Sequence, residues 1–231
     1  MEWSSSDSTT VSVTGGKLKA KKAGEATITA KVGEVKATCK VTVFTIVTAK
    51  VENGNDLNSK VNAVQVDVWN DEGDAGQEKY KIASGSYASG SFTVNLPVTV
   101  DSKYLLPTVD NSELLSDDWK DKIMISNPNV KNCCIEFKAY KDGNRGGNFT
   151  YYGKTSETYG YFIYSDGDVT LTGLGTYTND GYICTYDYNV SLKKGWNIVY
   201  EYSKEDVNAK TFTIKMTSVA PADMKWYYYE K

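Results

Sequence analysis

The sequence predicts an all-β chain: three β-sandwich units in series, the first of them a fragment, with one short helix between the second and the third. Three observations lead there. Apolar and polar residues alternate in short runs separated by Gly15-Gly16, Gly24 and Gly33, the pitch of small strands joined by tight turns. Eighteen Tyr among many Thr and Val suit strands better than helices. Residues 1–43 hold seven Lys against four acids, net +3, while the whole chain is -3, so residues 44–231 carry -6. That change of sign marks a boundary near Val43. The expected domains are therefore 1–43, 44–110 and 111–231, and 231 residues suffice to give each a core.

Composition also removes function classes. The chain has no His, the side chain most used for proton transfer near neutral pH and the commonest transition-metal ligand. An enzyme is not expected, and neither is a cofactor. A net charge of -3 gives no reason to seek nucleic acid or an anionic membrane. No apolar stretch approaches the ~20 residues of a membrane helix. Met1-Glu2-Trp3 begins no signal peptide.

In the first 43 residues, strands are expected at Thr10–Val13, Lys17–Ala20, Ala26–Val32 and Ala37–Val43. Ala26, Ile28, Ala30 and Val32 form the inward set of the third, and Trp3 is expected to plug the core. Cys39 alternates with Ala37, Val41 and Val43 and reads as a small buried thiol. The pieces Trp3-Ser4-Ser5-Ser6-Asp7, Lys19 to Ile28 and Ala37 to Val43 together resemble the second half of the bacterial immunoglobulin-like group 2 (BIG2) domains. The resemblance covers under a fifth of the chain and lacks the strands that precede the tryptophan in that family. It implies an Ig-like sandwich fragment outside a bacterial cell, in a chain that starts inside a domain. Without the missing strands, Val11, Val13, Ile28 and Val41 should expose an apolar face and an open edge. Completion is expected from residues 44–108 or from residues 1–43 of a second chain.

Phe44–Val51, Val61–Trp69, Lys79–Ala83 and Ser91–Leu96 read as strands, with turns at Asn53-Gly54-Asn55-Asp56 and an acidic loop over 71–76. With Ile82-Ala83-Ser84-Gly85 and Ala88-Ser89-Gly90-Ser91-Phe92, this region resembles the small transthyretin-like or carboxypeptidase-regulatory-like sandwiches of bacterial surface lipoproteins. Asn111–Lys122 is the one expected helix, capped by Asn111 or Ser112, with Leu114, Leu115 and Trp119 near one face. Asp117, Asp118 and Asp121 lie toward the other and read as a solvated face, not as the acid and base of a glycosidase.

Further strands are expected at Cys133–Tyr140, Tyr159–Tyr164, Val169–Leu171, Tyr182–Val190, Trp196–Tyr202, Thr211–Met216 and Trp226–Tyr229. Residues 142–147 read as a hairpin connection, lacking the Lys-Ser/Thr of a phosphate loop and the spaced carboxylates of an EF-hand. Asp166 and Asp168 bracket a turn. Tyr164 to Val169 and Leu192 to Asn197 resemble the C-terminal halves of uncharacterised bacterial lipoproteins, which implies surface location and an anchor outside this chain. Adjacent Cys133 and Cys134 point to opposite faces, so only one of them can meet Cys184. Free buried thiols are preferred to such a disulfide.

Tyrosine is the informative surplus. By alternation Tyr182, Tyr186 and Tyr188 share a face with Cys184, and Trp196, Tyr200 and Tyr202 share one with Ile198. An exposed row would make a flat platform for sugar rings; the competing reading is that the rings fill a half-buried sheet. Trp226 to Tyr229 must place aromatics on both faces. The candidate platform is Trp196, Tyr200, Tyr202, Trp226 and Tyr228. Two functions follow: a non-catalytic surface module for adhesion, spacing or assembly, or a surface glycan-binding protein serving polysaccharide capture. The expected partner is a surface glycan or another surface protein.

Overall fold

Strands make up 64% of the computed structural model and no helix among the described residues reaches seven residues, so the chain is all-β and sandwich-like. The structure describes residues 1–69, 80–111, 114–115 and 121–231. Most of the helix expected over Asn111–Lys122 lies outside these, as do Ser112, Asp117, Asp118 and Trp119; Asp121 is exposed. The strands fall into two compact units, Met1–Val47 with Asn95–Thr99, and Thr48–Val94 with Val100–Lys231.

The first unit has two layers. Strands β1 (Glu2–Ser5), β4 (Gly24–Val32) and β5 (Val35–Val43) form an antiparallel sheet in the order β1-β4-β5, and β2 (Val11–Thr14) pairs with β3 (Lys17–Ala20) in a separate ribbon. Val11 meets Ala26 and Ile28 in a small core flanked by Val13, Val41 and Val43. The face expected to lie open is therefore covered at Val11 and Ile28. Asp7 anchors the ribbon: its carboxylate accepts bonds from the Thr9 and Thr10 hydroxyls at 2.6 and 2.7 Å and from the Thr9 N–H at 2.8 Å. Those donors hold its carboxyl pKa well below the usual carboxylate range.

Three expectations for this unit are corrected. The β2–β3 ribbon is four residues per strand and spans ~13 Å, whereas the nine-residue strands of the β4–β5 hairpin reach ~30 Å. Beyond the ribbon the inward row meets no partner layer: Ala30 is only half-buried and Val32 is exposed. Cys39 stands level with buried Ile28 but on the edge strand β5, and is an exposed thiol instead of a core one. Trp3 does not plug the core either. It is 37% exposed and lies across Gly16, where a Cβ would meet its ring at 3.1 Å.

The remaining strands are β6 (Thr45–Lys50), β7 (Ala63–Val68), β8 (Lys81–Ala88), β9 (Ser91–Leu96), β10 (Leu106–Pro107), β11 (Met124–Ile125), β12 (Lys131–Lys141), β13 (Asn144–Gly153), β14 (Thr158–Ser165), β15 (Val169–Asn179), β16 (Tyr182–Leu192), β17 (Gly195–Asp206), β18 (Thr211–Thr217) and β19 (Met224–Glu230); all belong to the second unit except the first half of β6, up to Val47, and the end of β9, from Asn95. These make one sheet in the order β11-β15-β16-β18-β17-β14-β13-β12-β7-β8-β9-β6, with β10 beside β12 and β19 beside β13. Only β16 and β18 pair in parallel among the described ladders. The β7–β12 ladder, from Ala63↔Tyr140 to Val68↔Ile135, joins residues 44–110 to residues 111–231 in one sheet.

The run from β6 to β19 curls back on itself, its ends tied by the Val51–Trp226 bridge. Its interior is aromatic: Phe92, Phe137, Phe149 and Trp226 pack with ring centroids 4.8–5.9 Å apart. A second, aliphatic core holds Leu114, Leu115, Ile163, Leu171, Leu192 and Met216. Adjacent Cys133 and Cys134 stand on opposite faces of β12. Cys134 shares the aliphatic core with Cys184, and none of the four cysteines is in a disulfide.

Candidate functional site

The long strand β12 changes partner along its length. From Asn132 to Ile135 it pairs with β14, and from Phe137 to Lys141 it pairs with β13. Strands β13 and β14 pair with each other only over Tyr151–Gly153 and Thr158–Gly160. The three ladders therefore diverge around Glu136, Thr150 and Tyr161, one residue from each strand. Their neighbours Ile135, Phe137, Phe149, Tyr151 and Phe162 turn to the aromatic side, so alternation sends all three central side chains to the opposite face.

This fork opens a cleft of about 250 Å³ lined by Glu136, Thr150 and Tyr161, with Asn148, Trp69 and Tyr159 beside them. Phe137, Phe162 and Trp226 also line it, so the gap reaches the aromatic core. Trp69 and Tyr159 are each 41% exposed. The Tyr159 ring is held by Tyr152, whose centroid is 4.6 Å away. Where β13 and β14 rejoin, the Tyr151 ring lies over its partner Gly160, where a Cβ would stand 2.6 Å from the ring. The Arg145 guanidinium donates to Asn148 Oδ1 at 3.0 Å and fixes that amide.

A buried charge cluster backs the cleft. Lys138 Nζ lies 2.9 Å from Asp67 Oδ2 and 3.2 Å from Glu136 Oε2, and Gln65 Nε2 donates to Asp67 Oδ1 at 2.8 Å. The Asp67 side chain is 0% exposed, Lys138 5% and Glu136 26%. A charge pair this deep is tolerated because its polar atoms find partners. Two rings on the rim, an apolar floor and a few fixed polar groups place stacking faces beside hydrogen-bond donors and acceptors in one opening.

The residues expected to form an aromatic platform do not form one. Tyr200, Trp226 and Tyr228 are buried, and Trp196 and Tyr202 are half-buried. Trp196 packs edge-on against Tyr164 at 5.3 Å, and the Tyr228 hydroxyl donates to the Gly146 carbonyl at 3.0 Å. The reason is the curl of the sheet, which turns this face inward. Trp226 still belongs to the candidate site, as floor of the cleft. Asp166 and Asp168 spend their carboxylates locally: Asp166 accepts from the Lys131 N–H, Asp168 from the Lys194 N–H and the Lys193 ammonium. Among the described residues no group of three metal-ligating side chains assembles.

Sequence reasoning missed the fork because it missed β13. Its first residues, Asn144-Arg145-Gly146-Gly147, carry turn chemistry, and only Asp142 and Gly143 make the turn, both at positive φ. The signal that would have found it is the alternation of Phe149 and Tyr151 against Asn148, Thr150 and Tyr152. No family model, no curated protein and no solved structure matches this chain.

Proposed function

We propose that this protein is a non-catalytic glycan-binding module whose sugar site is the cleft at the fork of β12, β13 and β14. The observation that carries this reading is the pairing of two exposed rings, Trp69 and Tyr159, with Glu136, Asn148 and Thr150 around one opening. Sugar rings bind where an aromatic face covers their C–H groups and short polar side chains reach their hydroxyls. A bacterial surface setting is suggested by the BIG2 resemblance of residues 1–43, and adhesion or capture of polysaccharide there is the corresponding role.

Affinity electrophoresis in gels containing soluble polysaccharides tests the reading. Retardation of the protein is expected, with loss of retardation in Trp69→Ala and Tyr159→Ala variants that keep the parent melting temperature. Mobility unaffected by every polysaccharide, or retardation that survives both substitutions, would sink it. Trp226→Ala does not serve as a site test, because removing a buried Trp costs about 3–5 kcal/mol of folding stability.

A further inference from the structure

Glu136 is the one charged residue among the described residues that line the cleft. Among the described residues its counter-charge, Lys138, is shared. Lys138 sits closer to Asp67, at 2.9 Å, than to Glu136, at 3.2 Å, and Asp67 is the fully buried partner. Two carboxylates thus face one ammonium, which leaves the cluster one negative charge in excess. Of the three, Glu136 is the most exposed and the one that reaches the opening. The rings around it add to the same field, since the face of an aromatic ring carries negative potential and attracts cations. Screening by water is reduced in a cleft with an apolar floor.

From this geometry we infer that the cleft selects sugars bearing a free ammonium group, that is, unacetylated hexosamine units, with Glu136 receiving the ammonium while Trp69 and Tyr159 cover the ring. The inference rests on the glycan reading above. It adds a ligand chemistry: an N-acetylated sugar of the same size loses the charge and places an amide carbonyl against a carboxylate.

Calorimetric titration of the intact chain with a glucosamine pentamer and with its fully N-acetylated counterpart, both at pH 6, separates the two claims. The glucosamine oligomer should bind roughly ten-fold tighter, the scale of one partly desolvated ammonium contact. In Glu136→Gln the ratio of the two affinities should fall close to one. Lys138 keeps its Asp67 partner in that variant, and thermal melting checks its fold. As a second measurement on unaltered protein, raising the salt concentration should shrink the same ratio, because charge attraction is screened and stacking is not. Equal affinities, or a preference that survives both Glu136→Gln and high salt, would overturn the ammonium inference and leave the glycan reading standing. No binding of either oligomer would overturn the ammonium inference alone if a polysaccharide gel still retards the protein; no binding together with unaltered mobility in every gel would overturn both.

Discussion

The β15–β16 ladder and the β12–β13–β14 fork carry the same kind of sequence, aromatic residues alternating with small polar ones, and arrive at opposite ends. Strands β15 and β16 pair without a break from Val169↔Leu192 to Asn179↔Tyr182. Their rings have nowhere to open a gap. Tyr188 is buried in the aliphatic core, and Tyr182 and Tyr186 pack against it, Tyr186 lying over Gly175. At the fork, β12 hands its ladder from β14 to β13 within one residue, and the space between the three strands becomes a cleft. Aromatic alternation alone therefore says that a sheet is present. Whether the rings are filler or a binding surface depends on whether the ladder is continuous.

The widest gap between the two regions should appear in their ion pairs, which have the same length and opposite settings. Beside the fork, Lys138 meets Asp67 at 2.9 Å with both side chains buried; at the end of the ladder, Lys193 meets Asp168 at 2.9 Å with side chains 74% and 60% exposed. Lys138→Met leaves Asp67 charged and buried, and urea unfolding should register a loss of about 3–5 kcal/mol. Lys193→Met should cost under ~1 kcal/mol. Similar losses in the two variants would erase the distinction drawn here.

A smaller effect is expected under the ladder. Burial pushes the Glu201 carboxyl above its usual range, opposed in part by a bond to Ser203. A raised acid contributes fully when both states are protonated, below the ordinary Glu value of ~4.3, and that contribution is lost as pH rises through the folded-state value. Glu201→Gln should then melt a few degrees higher than the parent at pH 7 and at nearly the same temperature at pH 4. A variant that melts lower at pH 7 would show that the carboxylate is stabilising and would contradict the assigned shift.

The least disruptive probe is chemical. Burial drives the Cys133 thiol up to about 12, and Cys134 and Cys184 are buried as well, whereas Cys39 is exposed midway along β5. At pH 8 the folded protein should react with one equivalent of a thiol reagent quickly and with three more only on unfolding. Rapid modification of two or more thiols would mean that the ladder or the fork opens readily; resistance at Cys39 would mean that the first unit is covered where the structure shows it bare.

Much of the strand pattern was legible in the sequence, since alternation and glycine turns are local and a strand shows them whether or not its partners are known. Lys17–Ala20 and Ser91–Leu96 lie where the pattern puts them, and Thr211–Met216 differs from β18 by one residue. Strand β13 escaped because Gly146 and Gly147 read as loop, yet Gly147 is flat against the Tyr229 backbone of β19, where a Cβ would stand 2.1 Å from the Tyr229 carbonyl oxygen. Its glycine is there for a neighbouring strand 82 residues away in sequence, Tyr229 from Gly147, and no local pattern reports a neighbour that distant.

By itself, then, the sequence determined that the chain is all-β, where most strands run, and that Cys133 and Cys134 must part company. Each of these follows from the two-residue period of a strand, a property of the backbone alone. Which rings are buried, that residues 44–110 join 111–231 in one sheet, and that Glu136, Thr150 and Tyr161 meet around an opening were decided only in three dimensions. Strand partnership depends on the whole set of competing ladders and on how far the sheet curls, and alternation within a strand carries no record of either.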